Sequence, residues 1–257
     1  MRLTQLFDLS GKTALITGGS RGLGRQMAHA LGEAGARIAL LARKQDELDD
    51  AVAELKASGH EAHAIAHDLV KLESIPGLVE QVLARCGAID ILVNNAGRSY
   101  VAPAEDYPSQ GWSTVMDLNI NALFFLTQAV AKKSMIPRRS GKIINISSIG
   151  GLYANPPGID IVAYNTSKGA VLACTRTLAA EWGKYNINVN AICPGFFSSK
   201  MSASLLDKLL PGVIAATPLG RIGGDDDLKG LAVFFASEAS RHITGQHLVV
   251  DGGGTLV

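Results

Sequence analysis

The sequence predicts an α/β fold, a single parallel sheet with helices packed on both of its faces. Three observations carry this reading. Short apolar runs alternate with longer helical patterns along all 257 residues. The links between them are short and no Ser/Pro-rich linker divides them, so one unit spanning 1–257 is expected. The first apolar run also ends in a glycine-rich turn that opens directly onto a helical pattern.

Lys12 to Thr17 reads as the first strand and Leu23 to Gly35 as the helix after it, joined by Gly18-Gly-Ser-Arg-Gly22-Leu-Gly24. Strand, glycine turn and helix N-terminus together place backbone N–H groups against a pyrophosphate. Glycine lets the main chain approach the anion and take left-handed turns. Arg37 to Leu41 is the second strand and ends at Ala42-Arg43. Dinucleotide folds commonly carry an acidic residue near this point to bind the ribose 2′-hydroxyl of NAD. A small residue and an arginine stand here instead. Arg43, with Arg21 of the glycine turn, is therefore expected to hold the 2′-phosphate of NADP.

Gln45 to Ser58 reads as a helix and Glu61 to Ala66 as a strand reaching His67-Asp68. His60, His63 and His67 raise a metal site. The alternation Ala-His-Ala-Ile-Ala points to a strand, on which His60 faces away from the other two, and no metal is expected. Asp68, followed by Leu69, sits where it could accept a hydrogen bond from an adenine amino group. Leu72 to Cys86 is a helix, and Ile89 to Val93 a buried strand leading into Asn94-Asn-Ala-Gly97. Small and amide residues there suit a wall against which a cofactor packs.

A helical run follows from Trp112 to Met135, with Asn119 and Asn121 inside its apolar pattern. A buried mid-helix asparagine must be satisfied, and a water chain is one way. Lys132, Lys133, Arg138 and Arg139 cluster around Pro137 without interleaved aromatics, which reads as a solvated connection and not a nucleic-acid site. Lys142 to Ile146 is a strand running into Ser147-Ser148. A loop from Gly150 to Ile161 then leads to a long helix, Val162 to Trp182.

On that helix Tyr164 and Lys168 are four residues apart and share a face. An ammonium beside a phenol favours the phenolate, so Lys168 is expected to bring Tyr164 below the usual value near ~10. A tyrosine so placed can pass a proton to or from a carbonyl oxygen. Ile187 to Ile192 is a strand ending at Pro194-Gly195, and Ser202 to Ala216 a helical flap within 195–218. Asp225-Asp-Asp227 reads as an acidic cap on the helical run behind it, not as a metal triplet. Gln246 to Val250 is the closing strand.

Composition narrows the function. Hydrophobic residues at 47% and charged residues at 18% describe a globular chain able to bury a sizeable core. A net charge of +1 provides no global field to recruit nucleic acid or an anionic membrane. Cys86, Cys174 and Cys193 are odd in number and widely spaced, so no disulfide framework is expected. The start lacks an apolar signal core, and no apolar run reads as long enough to span a bilayer. A cytoplasmic protein is expected.

Taken in order, Thr17-Gly-Gly-Ser-Arg-Gly-Leu-Gly24, Asn94-Asn-Ala-Gly97, Asn119, Ser148, Tyr164-x-x-x-Lys168, Pro194-Gly195 and Val250-Asp-Gly-Gly253 resemble the short-chain dehydrogenase/reductase family over nearly the whole chain. The resemblance implies a Rossmann-like, doubly wound sheet of about seven strands with one NADP(H) site, in a homotetramer acting on a small carbonyl or alcohol substrate. It makes Tyr164 the general acid/base, with Lys168 lowering its pKa and holding the nicotinamide ribose. Ser148 would bond the substrate oxygen and Asn119 would hold a water of the proton relay. Gly18, Ser20, Arg21, Gly22, Leu23 and Gly24 fall where the family binds phosphates and ribose. Asn95, Ala96 and Gly97 would line the adenosine half, and Pro194, Gly195, Phe197 and Ser199 the carboxamide.

The loop between Ser148 and Tyr164 is longer than in common members and carries Asn155-Pro-Pro-Gly-Ile-Asp160. Within the family, Gly-Gly-Ser-Arg-Gly-Leu-Gly and Tyr-Asn-Thr-Ser-Lys-Gly are most similar to the gluconate 5-dehydrogenase group. The 3-oxoacyl-carrier-protein reductases stand close behind. A protein binding NADP without turnover is the rival class, and it would be expected to lose Tyr164 or Lys168. Tyr100, Ala154, Asn155, Phe196, Met201 and Leu205 are the expected lining of the substrate pocket.

Overall fold

The computed structural model describes residues 1–156, 158–198 and 203–256. Its centre is a seven-stranded sheet in the order β3-β2-β1-β4-β5-β6-β7. The strands are β1 Thr13–Thr17, β2 Arg37–Ala42, β3 Ala62–Ala66, β4 Ile91–Asn94, β5 Gly141–Ile146, β6 Ile187–Pro194 and β7 His247–Val250. Every neighbouring pair is parallel. Parallel strands buried on both faces read as continuous apolar runs, which makes them recognisable in a sequence. The strand order reverses between β1 and β4, and ligands of such sheets bind beyond the carboxyl ends of the strands at that crevice.

Two apolar layers flank the sheet. On one face Met27 and Leu31 of helix Gly22–Glu33, Leu48 and Leu55 of helix Gln45–Ala57 and Phe235 of helix Lys229–Ala236 pack on Ile16, Ile38 and Leu40. On the other, Leu78 and Val82 of helix Ile75–Cys86 and Leu178 of helix Val162–Trp182 join Leu126 and Val130 against Leu15, Leu92 and Ile143. Each such side chain contributes about 1.5–3 kcal/mol by leaving water.

The expected helix from Trp112 to Met135 is longer, running from Ser109 to Arg138, and it is interrupted by π turns at Asp117–Ala122 and Ala131–Met135. Its length and hydropathy suffice to cross a membrane, which corrects the reading that no run does. Its apolar face instead covers the sheet through Leu126, Val130 and Met135. A buried polar ladder fixes it there. Asn94 Nδ2 donates to Thr127 Oγ1 and to Asn145 Oδ1, both at 2.8 Å, and Asn145 Nδ2 donates to Thr175 Oγ1 at 2.9 Å. β4, β5 and the helices carrying Thr127 and Thr175 are thereby tied together, although Asn94 Oδ1 is itself buried without a hydrogen-bond partner among the described residues.

Two surface expectations are corrected. The basic cluster at Pro137 is not merely solvated. Arg138 bonds Asp90 at 2.8 Å and the Ile89 carbonyl at 2.8 Å, Lys133 pairs with Glu80, and Arg139 reaches the Lys184 carbonyl. The Asp225–Asp227 triplet caps nothing through its side chains. Asp227 pairs with Arg221, Asp226 with Lys229, and Asp225 accepts from Gln26. A one-turn helix, Leu3–Leu6, precedes β1 and carries no periodicity that a sequence could reveal.

Candidate active site

At the crevice between β1 and β4 the glycine turn is bound to the end of β4. Thr17 Oγ1 accepts the Asn95 and Ala96 N–H groups, each at 2.9 Å, and Asn95 Nδ2 donates to the Thr17 and Gly18 carbonyls at 3.0 and 3.1 Å. Gly18 takes φ +63°, which a side chain would strain. A Cβ on Gly24 would strike the Gly18 carbonyl oxygen and lie 2.5 Å from Asn95 Nδ2, so only glycine packs the helix start this closely. Thr17, which sequence reasoning passed over, is the hub of this clamp. A hydroxyl at a strand end carries no pattern of its own.

Tyr164 and Lys168 project from the long helix beside β5 and β6. Lys168 is buried, and its Nζ donates to the Ile146 carbonyl at 2.8 Å. An ammonium has three donors, so two remain for a ligand. Its Nζ lies 5.5 Å from the centre of the Tyr164 ring. The Ser148 hydroxyl lies near enough to the Tyr164 phenol to act on its titration, and it accepts the Gly150 N–H at 3.1 Å. The neighbouring Ser147 donates to the Lys168 carbonyl at 2.8 Å instead, so of the two serines it is Ser148 that meets the phenol.

The electrostatics differ from expectation. Burial pushes the Tyr164 phenol up from its usual value, and the nearby Ser148 hydroxyl opposes this only in part. Lys168, whose Nζ lies 5.5 Å from the ring centre, is not among the groups that shift the phenol. Burial pushes Lys168 itself down to about 8. Cys193, beside Lys168 and Ser147, is pushed by burial up to about 11 and stays a neutral thiol.

Asn119 sits in the first π turn, a helix irregularity frequent at functional sites. No water is needed to satisfy its amide. Nδ2 donates to the Arg98 carbonyl and to Ser167 Oγ, both at 2.9 Å, and Oδ1 accepts the Arg98 N–H at 2.9 Å. Ser167 in turn donates to the Tyr164 carbonyl at 2.7 Å. Asn119 thus ties the loop after Gly97 to the Tyr164 helix. Asn119→Ala is expected to lose about 1–3 kcal/mol of unfolding free energy in urea, since it strands the buried Ser167 hydroxyl and two half-buried backbone groups of Arg98.

Residues 12–209 match the family model described as short chain dehydrogenase. The chain belongs to this family. It is 39% identical over 253 residues to gluconate 5-dehydrogenase of Gluconobacter oxydans (strain 621H), covering 98% of this chain and 97% of the relative. It is 40% identical over 253 residues to 2-dehydro-3-deoxy-D-gluconate 5-dehydrogenase of Bacillus subtilis (strain 168), with the same coverage of 98% and 97%. A 3-oxoacyl-[acyl-carrier-protein] reductase of Staphylococcus epidermidis is 37% identical over 94% of this chain and 98% of its own. Among solved structures, a gluconate 5-dehydrogenase from Burkholderia cenocepacia J2315 in complex with NADP and tartrate superposes with a TM-score of 0.94 at 37% identity, covering all of both chains.

Against this family frame, the glycine-turn residues Gly18, Ser20, Arg21, Gly22, Leu23 and Gly24 all gather at the crevice, but Arg21 is not a free cation. It pairs with Glu47 at 3.2 Å, and Ser20 Oγ and Lys44 bond the same carboxylate. Arg43 follows β2, is exposed, and has no ion pair among the described residues. Asp68 and Leu69 lie just past β3, Leu69 buried. A Cβ on Gly97 would lie 3.5 Å from Lys168 Nζ, which places Asn95, Ala96 and Gly97 along the crevice between the turn and the lysine. Pro194 ends β6, and Gly195 is packed so closely that a Cβ would meet Asp251 at 2.6 Å. The Phe197 side chain is buried against Gly223, so it does not present its ring to a ligand. Ser199 and Met201 lie outside the described residues.

Sequence reasoning also missed Arg98. This half-buried guanidinium follows Gly97, and burial pushes it below its usual value, with Arg43 adding to the effect and Asp68 and Asp117 opposing it. A lone arginine after a glycine gives no sequence signal. Only the fold brings it near the end of β2.

Proposed function

We propose that this short-chain dehydrogenase is an NADP(H)-dependent oxidoreductase that interconverts a ketone and a secondary alcohol on a sugar acid of the gluconate type. The observation that carries the chemistry is the meeting of Ser148, Tyr164 and Lys168 beside the glycine turn. The sugar-acid class rests on the relatives named above. The crevice fits the coenzyme. Lys168 has two unspent donors for ribose hydroxyls, the glycine turn presents backbone without side chains, and Arg43 stands without a counter-ion where an adenosine phosphate would lie.

When bound, the coenzyme supplies or accepts the hydride. The chain's own residues handle the oxygen. Tyr164, protonated at neutral pH because burial pushes its phenol up, gives its proton to the carbonyl oxygen as negative charge develops there. Ser148 donates a hydrogen bond to the same oxygen. Lys168 holds the ribose, while Asn119 fixes the helix that carries Tyr164 and Lys168. Arg43, assisted by the field of Arg98, binds the 2′-phosphate; Arg21 is occupied by Glu47.

NADPH oxidation followed by absorbance with the 5-keto derivative of D-gluconate is expected to turn over faster than with a 3-oxoacyl thioester. The opposite ranking would move the substrate to the acyl class and leave the chemistry intact. Arg43→Gln is expected to weaken NADPH about 10–100-fold and leave NADH unchanged, since a charge-assisted bond to phosphate contributes about 1.5–3 kcal/mol. Equal losses for the two coenzymes would remove Arg43 from the phosphate.

Trp112 and Phe125 on the long helix and Leu248 on the edge strand β7 are exposed, and we assign these faces to a homotetramer, which light scattering measures directly. The three cysteines are unpaired, in keeping with work in the cytoplasm.

A further inference from the structure

At the far end of the glycine-turn helix, away from Tyr164, lies a cluster that the dehydrogenase chemistry does not use. His29 and Glu33 are one turn apart on helix Gly22–Glu33 and share a face. His60 enters that face from the turn before β3, its backbone N–H held by the Leu55 carbonyl at 3.0 Å. One ligand atom from each of the three lies within 4.8 Å of the other two. The sequence grouped His60 with His63 and His67. The fold separates them, placing His63 against Glu61 and His67 against Ser74.

The cluster is built closely. A Cβ on Gly32 would meet the His60 ring at 2.9 Å, so the ring packs on bare backbone between His29 and Glu33. The His29 and His60 rings stand edge to face with centroids 6.3 Å apart. Neither His60 ring nitrogen has a hydrogen-bond partner among the described residues. His29 Nε2 is 3.1 Å from Glu54 Oε1, the kind of carboxylate support that fixes a ligating imidazole, and Arg25 holds Glu54 at 3.1 Å.

We propose that His29, Glu33 and His60 bind one divalent transition-metal ion of the zinc type. Two imidazoles and a carboxylate are the borderline donors that such ions prefer, whereas magnesium and calcium favour oxygen alone. Metal–ligand bonds of about 2.0–2.2 Å put tetrahedral donors roughly 3.4 Å apart. Binding therefore requires the three side chains to draw together from within 4.8 Å of one another. The ion would staple the glycine-turn helix to the turn entering β3, so it acts on stability and not on turnover. Lys229, 3.8 Å from Glu33, opposes it directly, and Arg25 is the second nearby cation, held by Glu54.

The test uses the full chain with any affinity tag removed, stripped with chelator and titrated with zinc chloride and nickel chloride by calorimetry. One equivalent is expected to bind, with a rise in Tm of about 5 °C at a hundredfold excess over Kd. Glu33→Gln and His60→Gln should each weaken binding roughly tenfold or more, while NADPH affinity and kcat stay at the parent's values. Lys229→Met should tighten it. A cobalt-loaded sample should lack a thiolate charge-transfer band, which excludes Cys174 as the ligand. No saturable binding to the parent overturns the proposal. Binding left unchanged by Glu33→Gln, an exposed substitution that keeps the fold, also overturns it.

Discussion

Tyr164→Phe is expected to lower kcat by about 10²–10⁴-fold while the Kd for NADPH and the midpoint of urea unfolding stay close to the parent's. The substitution removes one oxygen and keeps the ring under which Lys168 lies, 5.5 Å from the ring centre. Ser148 keeps its bond from the Gly150 N–H, so the loop carrying it has no reason to move. What disappears is the proton that meets the developing oxyanion. A loss confined to KM would mean that the hydroxyl only binds substrate. A loss shared between kcat and fold stability would mean that the phenol is a packing element.

Lys168→Met should abolish turnover and also change how stability depends on pH. Burial holds the Lys168 ammonium down to about 8 in the fold, against about 10.5 in the unfolded chain. Between those values the unfolded chain holds the proton and the fold does not, so the parent becomes more stable as pH rises. Below pH 8 the cost of the buried charge is present in full. From pH 8 to pH 10 the parent is expected to gain about 2 kcal/mol relative to Lys168→Met in parallel urea titrations. Saturating NADP⁺ should flatten that slope, because ribose hydroxyls then engage the two donors that the Ile146 carbonyl leaves free. A parent and variant with parallel pH curves, with and without coenzyme, would mean that Lys168 is not the buried titrating group.

Much of the fold was legible because its strands are short apolar runs buried on both faces and its helices are amphipathic. Val162–Trp182 was read to the residue. Boundaries slipped where long-range contacts decide them. β4 begins after Asp90 because that carboxylate is drawn to the Thr13 N–H and Arg138, and the long helix extends past Pro137, with Ile89 held by Ser134 within it. The candidate site was legible as residue identities but not as electrostatics. No sequence shows that Lys168 lies over the ring face of Tyr164, that Glu47 captures Arg21, or that Asn119 spends both amide donors on protein. Thr17, Arg98 and Ser167 were silent for the same reason. Their roles arise from partners 21 to 79 residues away, such as Ala96 for Thr17, Asn119 for Arg98 and, for Ser167, the same Asn119 at a distance of 48.

A crystal structure of the binary complex with NADP⁺ bears most directly on the whole account. The nicotinamide ring is expected beside Ser148 and Tyr164, with room for a substrate carbon about 3–3.5 Å from its reacting carbon. Its ribose hydroxyls should bond Lys168 Nζ, and its 2′-phosphate should rest on Arg43. A pyridine ring lodged away from the phenol, with the Lys168 donors still unspent, would contradict it.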